Sequence, residues 1–584
     1  GLLQWSQLSA HIWYDTPALR EQFLASLEEG IVERRNSPSI VMWGLQNESS
    51  LPAAFAATCT ELIRTLDPTA STERLVTTCN GGEGTDWNVV QNWSGTYSGD
   101  PDRYGQELVK ERLNGEYGAW RTLDLHTEGG FIKDPPYSED RFCHLMAQKI
   151  GLAEQHKDSL CGHFLWLLNS HDNPGRVQNE EGYRDIDRIG PFNYKGLLTP
   201  WGEPLDAFYL YRSQYAPKET APMVYLVSHT WPDRWTTPGL KDSLLVYSNC
   251  DSVVVYNEAV NLDRLDDHAA ACLGSRCRPK GPDGLPLKGS AFQWDGILIR
   301  YNVLHALGYV DGRVVAQDLI VLNHLPKAPE ATVVLDPVHR SMPVVDLTPA
   351  PDYTYLYRVN CGGPTYVDSH GQRWMADRPR SGAAGWGSVS WTDAFTSEKG
   401  WHPFLASQRS TTDPIAGTTD PSLFQTFRYG REQLAFEFPV KPGRYRVEVY
   451  TTEPWYGTGG GLHAEGWRIF DVAVNGVTLF DDLDCWWEAG HDGALKRVAE
   501  LTVTDTLLRL HFPEVKAGQA LICALAIAAV PQQALQEGPV TTKGNKQSAL
   551  EPAPPAPSLF TWSSTSASTP NEPNHWLSTN PLVF

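Results

Sequence analysis

Residues Ser37 to Ser49, Ser-Pro-Ser-Ile-Val-Met-Trp-Gly-Leu-Gln-Asn-Glu-Ser, contain an apolar run that stops abruptly at an amide and a carboxylate. An uninterrupted apolar segment bounded by Pro38 and a polar cluster reads as a strand buried on both faces, the kind found in parallel sheets covered by helices. Such a strand delivers its last side chains, here Asn47 and Glu48, to the carboxyl end of the sheet, where barrel enzymes keep their chemistry.

The flanking segments fit the same sheet. Gly1 to Trp5 reads as a short buried strand, followed by a loop carrying His11, Trp13 and Tyr14. Asp15-Thr16-Pro17 then sets a cap before a proline at the first helical position, and Leu19, Phe23, Leu27 and Ile31 recur every four residues as one apolar stripe. A second helical pattern runs from Pro52 to Leu66. Further strand-like runs occur at Arg74 to Cys79, Trp87 to Trp93, Arg112 to Glu116 and His163 to Leu168. Six consecutive βα units imply a parallel sheet with crossover helices, either an open sheet or an eight-stranded barrel two strands short. In the second case the two strands lie upstream of Gly1 and the chain is a fragment.

Beyond Tyr215 the helical periodicity gives way to short strands and turns, which reads as a β-sandwich. After the Pro-rich stretch Asp346 to Pro351 comes a third region, in which Asn475-Gly476 separates two alternating runs and predicts a tight hairpin. From Glu537 onward the chain is rich in Ser, Thr, Pro and Asn and suits a linker or tail. The expected divisions are 1–216, 217–345, 350–532 and 533–584, and 584 residues do exceed what one hydrophobic core supports.

Charge narrows the partners. With 48 basic against 69 acidic residues and a net charge of −21, neither nucleic acid nor an anionic membrane surface is a natural partner. The 21 tryptophans and 23 tyrosines include rings that could stack on the apolar faces of sugars. The ten cysteines form no CxxC pair and no metal-like spacing with histidine, and only Cys272 and Cys277 are close enough to suggest a local bridge. No apolar run approaches the roughly 18 residues a membrane helix needs. The compartment stays open, with a periplasmic or secreted location favoured.

Glu48 closes one strand and Glu116, in Gly115-Glu-Tyr-Gly-Ala-Trp120, closes a later one, so both carboxylates converge on one mouth of the sheet. Glycoside cleavage needs such a pair: one protonated to release the leaving oxygen, the other attacking or activating water. Their environments must differ. Trp43 is expected to offer Glu48 apolar surroundings that raise its pKa, while hydrogen bonding near Tyr117 keeps Glu116 ionised. A carboxylate at a strand end, taken alone, is more often a helix cap, an ion-pair partner or a solvated side chain.

Pro38 to Ser49 closely resembles the acid/base strand of glycoside hydrolase family 2, and Asn114-Gly-Glu-Tyr-Gly-Ala-Trp-Arg121 resembles its nucleophile strand, in the same order. The resemblance implies a multidomain chain: a partial (β/α)8 TIM barrel holding strands 3 to 8, then two all-β sandwich domains. The first sandwich, immunoglobulin-like, is similar to the β-domain after the barrel in many β-galactosidases. The implied activity is that of a retaining exo-β-glycosidase on an oligosaccharide or polysaccharide. Glu48 is then the general acid/base, Glu116 the nucleophile and Asn47 a donor to the substrate 2-hydroxyl. Gly162 to Arg176 resembles the eighth strand, which makes Trp166 a candidate sugar platform and puts Asp172 and Arg176 near hydroxyls or each other. His126, Trp93 and Tyr97 are candidates to line subsites.

Asn193-Tyr-Lys195 fits the Asn-x-Lys with which the family's glucuronidases bind the sugar carboxylate, yet galactosidase-like members look similar there. A β-galactosidase is the first expectation, with β-glucuronidase and β-mannosidase as alternatives, and a non-catalytic carbohydrate-binding protein as the rival of another class. The magnesium site of some β-galactosidases includes a His soon after Asn-Glu. Here Ser49-Ser-Leu-Pro52 follows, so neither metal nor other cofactor is expected. Finally, Tyr357 to Gly363, Tyr366 to Gly371, Gln425 to Gly430 and Lys441 to Tyr445 resemble a malectin-like domain, in which Tyr366 and Tyr429 are candidate sugar contacts.

Overall fold

The computed structural model describes residues 3–530, apart from 9–12, 97–98, 120–137, 173–191, 194, 330–343, 396–403, 405–406, 458–462 and the single positions 228, 230, 233, 323, 383, 412 and 432. The opening strand reading holds. β1 (Gln4–Gln7), β2 (Ile40–Asn47), β3 (Leu75–Cys79), β4 (Trp87–Gln91), β5 (Leu113–Tyr117) and β6 (Gly162–Leu165) form one six-stranded sheet in chain order. Every neighbouring pair in it is parallel.

Helices α1 (Pro17–Arg34), α2 (Ala53–Leu66), α3 (Arg103–Glu111), α4 (Glu139–Gln155) and α5 (Asp206–Tyr215) accompany the sheet. The Thr16 hydroxyl caps α1 by accepting the Leu19 N–H, and Phe23, Leu27 and Ile31 turn inward as their spacing requires. They pack with Phe55, Cys59 and Ile63 of α2 against Ile40, Trp43, Leu45 and Val76 of the sheet. The alternation is not strict, which corrects the count of six βα units. β3 and β4 are joined by residues 80–86 without a helix, and Asp86 returns the chain to the start of β3 by exchanging hydrogen bonds with the Val76 backbone.

The sheet curls into a half-barrel. Trp5 on one edge strand meets Phe164 on the other, ring centroids 5.5 Å apart and edge-on, across the concave face. The Trp5 indole donates to the Thr77 hydroxyl at 2.9 Å. Gly44 must lack a side chain, because a Cβ there would stand 2.7 Å from Gln7 and 2.9 Å from the Trp5 indole nitrogen.

Past β6, short strands β7 (His171–Asp172) and β8 (Phe192–Asn193) pair antiparallel. Two antiparallel sheets follow: β9 (Val224–Leu226) and β10 (Gly239–Ser248) with β13 (Phe292–Ile299), and β11 (Ser252–Tyr256) and β12 (Cys272–Cys277) with β14 (Val303–Val310) and β15 (Arg313–Val321). Their shared core includes Val246, Trp294 and Leu304. This unit braces the barrel: Tyr225 stacks on Tyr209 of α5 at 3.8 Å and donates to Asp206. Cys272 and Cys277 are both free, correcting the local-bridge reading. They stand at the two ends of one extended strand, five residues apart, so at about 3.3 Å per residue their Cα atoms are roughly 16 Å apart, too far for a disulfide.

In the third region a six-stranded sheet containing Thr354–Asn360, Gly443–Thr451, Leu495–Val503 and Ala524–Ala529 faces a second containing Ala435–Pro439, Ile469–Val474, Val477–Leu483 and Leu507–His511. Asn475 (φ 49°) and Gly476 (φ 83°) make the expected hairpin turn. Positive φ at both central residues matches the twist of paired strands, which is why Asn-Gly serves there. Among the described residues no helix is long and apolar enough to cross a membrane. The tail from 533 lies outside the described residues.

Candidate active site

Both carboxylates sit just beyond a break in strand register. Gly44 pairs with Thr77 but Asn47 with Cys79, three residues on β2 against two on β3. On β5, Asn114 pairs with His163 but Tyr117 with Leu165, the same excess of one. A β-bulge interrupts the in-out alternation and re-aims the side chains after it. On β5 the effect is plain: Asn114 and Tyr117 both face the helices, toward Tyr104 and Tyr211, while a Cβ on Gly115 would strike Cys79 and Val89 in the interior. Glu116 is thereby turned to the inner face, where the amide of Gln91 meets it.

Gln91, the last residue of β4, links the two strand ends. Its amide nitrogen donates to Asn47 Oδ1 at 2.8 Å and to Glu116 Oε2 at 3.2 Å. The Glu116 backbone N–H is taken by Asn114 Oδ1 at 3.1 Å. Glu48 follows Asn47 with φ 48°, and its N–H donates to the Cys79 carbonyl at 2.9 Å. Left-handed backbone costs a non-glycine residue about 1 kcal/mol, and such outliers concentrate at functional sites.

The surroundings of the two carboxylates differ from the sequence expectation. Trp43 does not cover Glu48: its indole lies in the helix layer and donates to Asp67 Oδ2 at 2.8 Å. Nor does Tyr117 support Glu116, since its hydroxyl meets that of Tyr211 at 2.8 Å. Glu48 is exposed and Glu116 is buried. Burial pushes the Glu116 carboxyl up to about 7, against the pull of the Lys195 ammonium and with a further push from the Glu48 carboxylate.

Lys195 is buried with its ammonium 4.1 Å from the centroid of the Trp93 ring, a cation–π distance. Trp93 in turn fills the space above Gly118, where a Cβ would come within 2.9 Å of its ring. Trp166 lies just past the end of β6, 39% exposed and edge-on to His171. The structure thus brings Asn47, Glu48, Glu116, Trp93 and Lys195 together, with Trp166 on the adjoining strand. Asp172 and Asn193 take part in the β7–β8 pair through their backbones, their side chains lying outside the described set, as do Tyr97, His126 and Arg176 altogether.

In the third region Tyr366 is half-buried and donates to Asp420 Oδ1 at 2.9 Å. Tyr429 is not a loop residue. It lies in a strand at 3% exposure, its hydroxyl accepting from Arg409 and its ring 5.1 Å from that of Trp455. A buried ring in a packed cluster has no face for a sugar, which corrects that candidate. Among the described residues one acidic group, Asp471, Asp481 and Asp482, could share a cation, but Lys516 already pairs with Asp482.

Residues 2–122 match the family model described as glycosyl hydrolases family 2, TIM barrel domain, and residues 355–531 match that of the malectin domain. The chain joins a glycoside hydrolase family 2 barrel segment to a malectin domain. A Formosa agariphila protein described as a "Putative beta-glucuronidase" is 29% identical over 262 residues, 39% of this chain and 31% of that protein. Malectin-B of Xenopus laevis is 26% identical over 151 residues, 25% of this chain and 45% of the other. A beta-galactosidase of Thermoanaerobacterium thermosulfurigenes is 22% identical over 268 residues, 45% of this chain and 36% of the other. Among solved structures, a Bacteroides uniformis beta-glucuronidase is similar with a TM-score of 0.42 at 18% identity, over 91% of this chain and 59% of that one. The family 2–malectin chain spans less than half the length of these curated relatives.

Proposed function

We propose that the chain belongs to a retaining exo-acting β-glycosidase and that the sugar it removes is a β-glucuronide. The observation that carries the sugar is Lys195, a buried cation held over Trp93 beside Glu116. A uronate carboxylate gives that ammonium a charge-assisted partner, where a neutral galactoside gives it only a hydroxyl. The relative described as a beta-glucuronidase supports the same ordering.

In this reading exposed Glu48 gives a proton to the glycosidic oxygen while ionised Glu116 attacks the anomeric carbon. The covalent glycosyl-enzyme is then opened by a water that Glu48 deprotonates. Asn47 holds the sugar 2-hydroxyl in the same reading, which Gln91 supports by bonding to both Asn47 and Glu116. Trp166 offers the platform, and the malectin domain implies a carbohydrate ligand of its own, with Tyr366 the remaining candidate contact.

A panel of aryl β-glycosides on the intact protein tests this. The glucuronide is expected to give the highest kcat/KM. Lys195→Met is expected to lower it by about 10- to 100-fold, the worth of one hydrogen bond to a charged group, and to leave galactoside turnover within a few-fold. Galactoside preference in the wild type would refute the sugar, and inverted anomeric product the mechanism.

The pH profile is a separate expectation. Glu116 must be ionised to attack, so kcat/KM falls on the acid side with a limb near pH 7. Because Lys195 holds that carboxyl down, Lys195→Met shifts the limb to higher pH, measurable with a neutral aryl glycoside. An acid limb near 4.5 would show that burial does not govern Glu116.

A further inference from the structure

We infer that the malectin domain is the clamp for the Lys195 loop, with Trp201 the positioning residue through which it acts on uronate specificity; this rests on the glucuronide reading above. Beyond Lys195 the backbone lies against the segment that follows β6. Leu167 N–H donates to the Lys195 carbonyl at 3.3 Å, Leu197 N–H to Leu167 at 3.2 Å and Leu198 N–H to Leu168 at 2.8 Å. Gly196 presses so closely that a Cβ would stand 2.1 Å from the Ser170 nitrogen, and its own N–H donates to the Ser170 hydroxyl. This ladder ties Lys195 to the segment bearing Trp166.

The far side closes back on the barrel, where Leu205 N–H donates to the Leu197 carbonyl at 3.1 Å, and is also held from outside it. Thr199 and Glu203 close a turn on each other: Thr199 N–H donates to the Glu203 carbonyl at 2.9 Å, and Glu203 N–H to the Thr199 hydroxyl at 2.9 Å. Trp201 stands at its tip, its indole donating to Glu203 Oε2 at 3.0 Å. Its ring packs on the core cluster of the malectin domain, 6.4 Å from Trp455 and 5.1 Å, edge-on, from Tyr456. That receiving loop is itself fixed, because Glu453 accepts the backbone N–H groups of both Trp455 and Tyr456.

Two rigid bodies thus grip the eight residues from Lys195 to Gly202, and the domain that resembles a lectin supplies one of them. A turn without the malectin contact would let Lys195 shift, and displacements of about 1 Å at a reacting site can cost 100-fold in rate. A positioning role predicts a loss confined to the substrate that Lys195 reads.

The test uses the full-length protein with Trp201→Ala, Trp201→Phe and Lys195→Met, singly and as the Trp201→Ala/Lys195→Met pair. Trp201→Ala is expected to lower glucuronide kcat/KM about 10-fold, mainly through KM, with neutral aryl glycosides changed less than 2-fold. Trp201→Phe should recover most of it, and the pair should lose no more than Lys195→Met alone. Amide exchange at Gly196 to Leu198 should quicken in Trp201→Ala. Equal losses on charged and neutral substrates, additive losses in the pair, or unchanged exchange would each overturn the clamp. A wild type without glucuronide preference overturns the specificity reading first, and the exchange result then decides the mechanical part on its own.

Discussion

Glu116→Gln is expected to abolish turnover, by about 10⁴-fold or more, and at the same time to make the protein more stable above neutral pH. The first effect follows from removing the attacking oxygen. The second follows from the protonation balance. The Glu116 carboxyl titrates near 7 in the folded chain because it is buried, against its ordinary value of 4.5. Between those two values the folded state keeps a proton that the unfolded state has lost, so stability falls as pH rises through the window. Below pH 4.5 the penalty is absent, and above pH 7 it is complete, on the order of 3 kcal/mol for a shift of that size. Glutamine is neutral at every pH and its side-chain oxygen can still accept from Gln91. Its melting temperature should therefore match the wild type at pH 4 and exceed it by several degrees at pH 8. Wild-type turnover in the variant, or a melting difference that does not change with pH, would remove Glu116 from the role.

Much of the fold was open to reading in the chain because it rests on local patterns. Apolar runs with no polar interruption marked the strands of the half-barrel, a four-residue stripe with Thr16-Pro17 marked α1, and Asn475-Gly476 marked a turn. The alternation misled between β3 and β4, where seven residues without helical pattern return the chain to the strand start. What the site needs is less local. Whether Glu116 faces the core or the helices depends on a bulge, and a bulge is a relation between two strands. Gln91 had one signal, an amide closing the run Trp-Asn-Val-Val-Gln, but its partners are Asn47 and Glu116, 44 and 25 residues away in sequence. Trp43 could be seen to neighbour Glu48 in sequence, yet its side chain lies in the helix layer, where its indole meets Asp67. Tyr429 fell to the same ambiguity, since an aromatic in a strand reads alike whether it packs or binds. The grip of Trp455 on Trp201 spans some 250 residues and leaves no trace in either segment.

Arg468→Met should have the largest structural effect, because it leaves a charge stranded. Arg468 and Glu453 are both fully inaccessible to solvent and pair through two nitrogens and two oxygens. The third nitrogen of Arg468 donates to the Gln519 carbonyl at 2.6 Å. Glu453 also carries the Trp455 and Tyr456 backbone, so its carboxylate cannot swing out to water without undoing the loop. Removing one partner of such a pair costs about 3–5 kcal/mol, whereas replacing both with neutral groups of similar size is far cheaper. Against a total stability of about 5–15 kcal/mol, the single change should lower the calorimetric transition of the malectin domain by roughly 10 °C or more. Arg468→Met with Glu453→Gln should recover most of that loss. If the ion pair were dispensable, Arg468→Met would melt with the wild type at every pH. If it were merely local, glucuronide turnover would survive its loss. The chain of contacts from Glu453 through Tyr456 to Trp201 says instead that breaking a pair buried in the malectin core should be felt at Lys195.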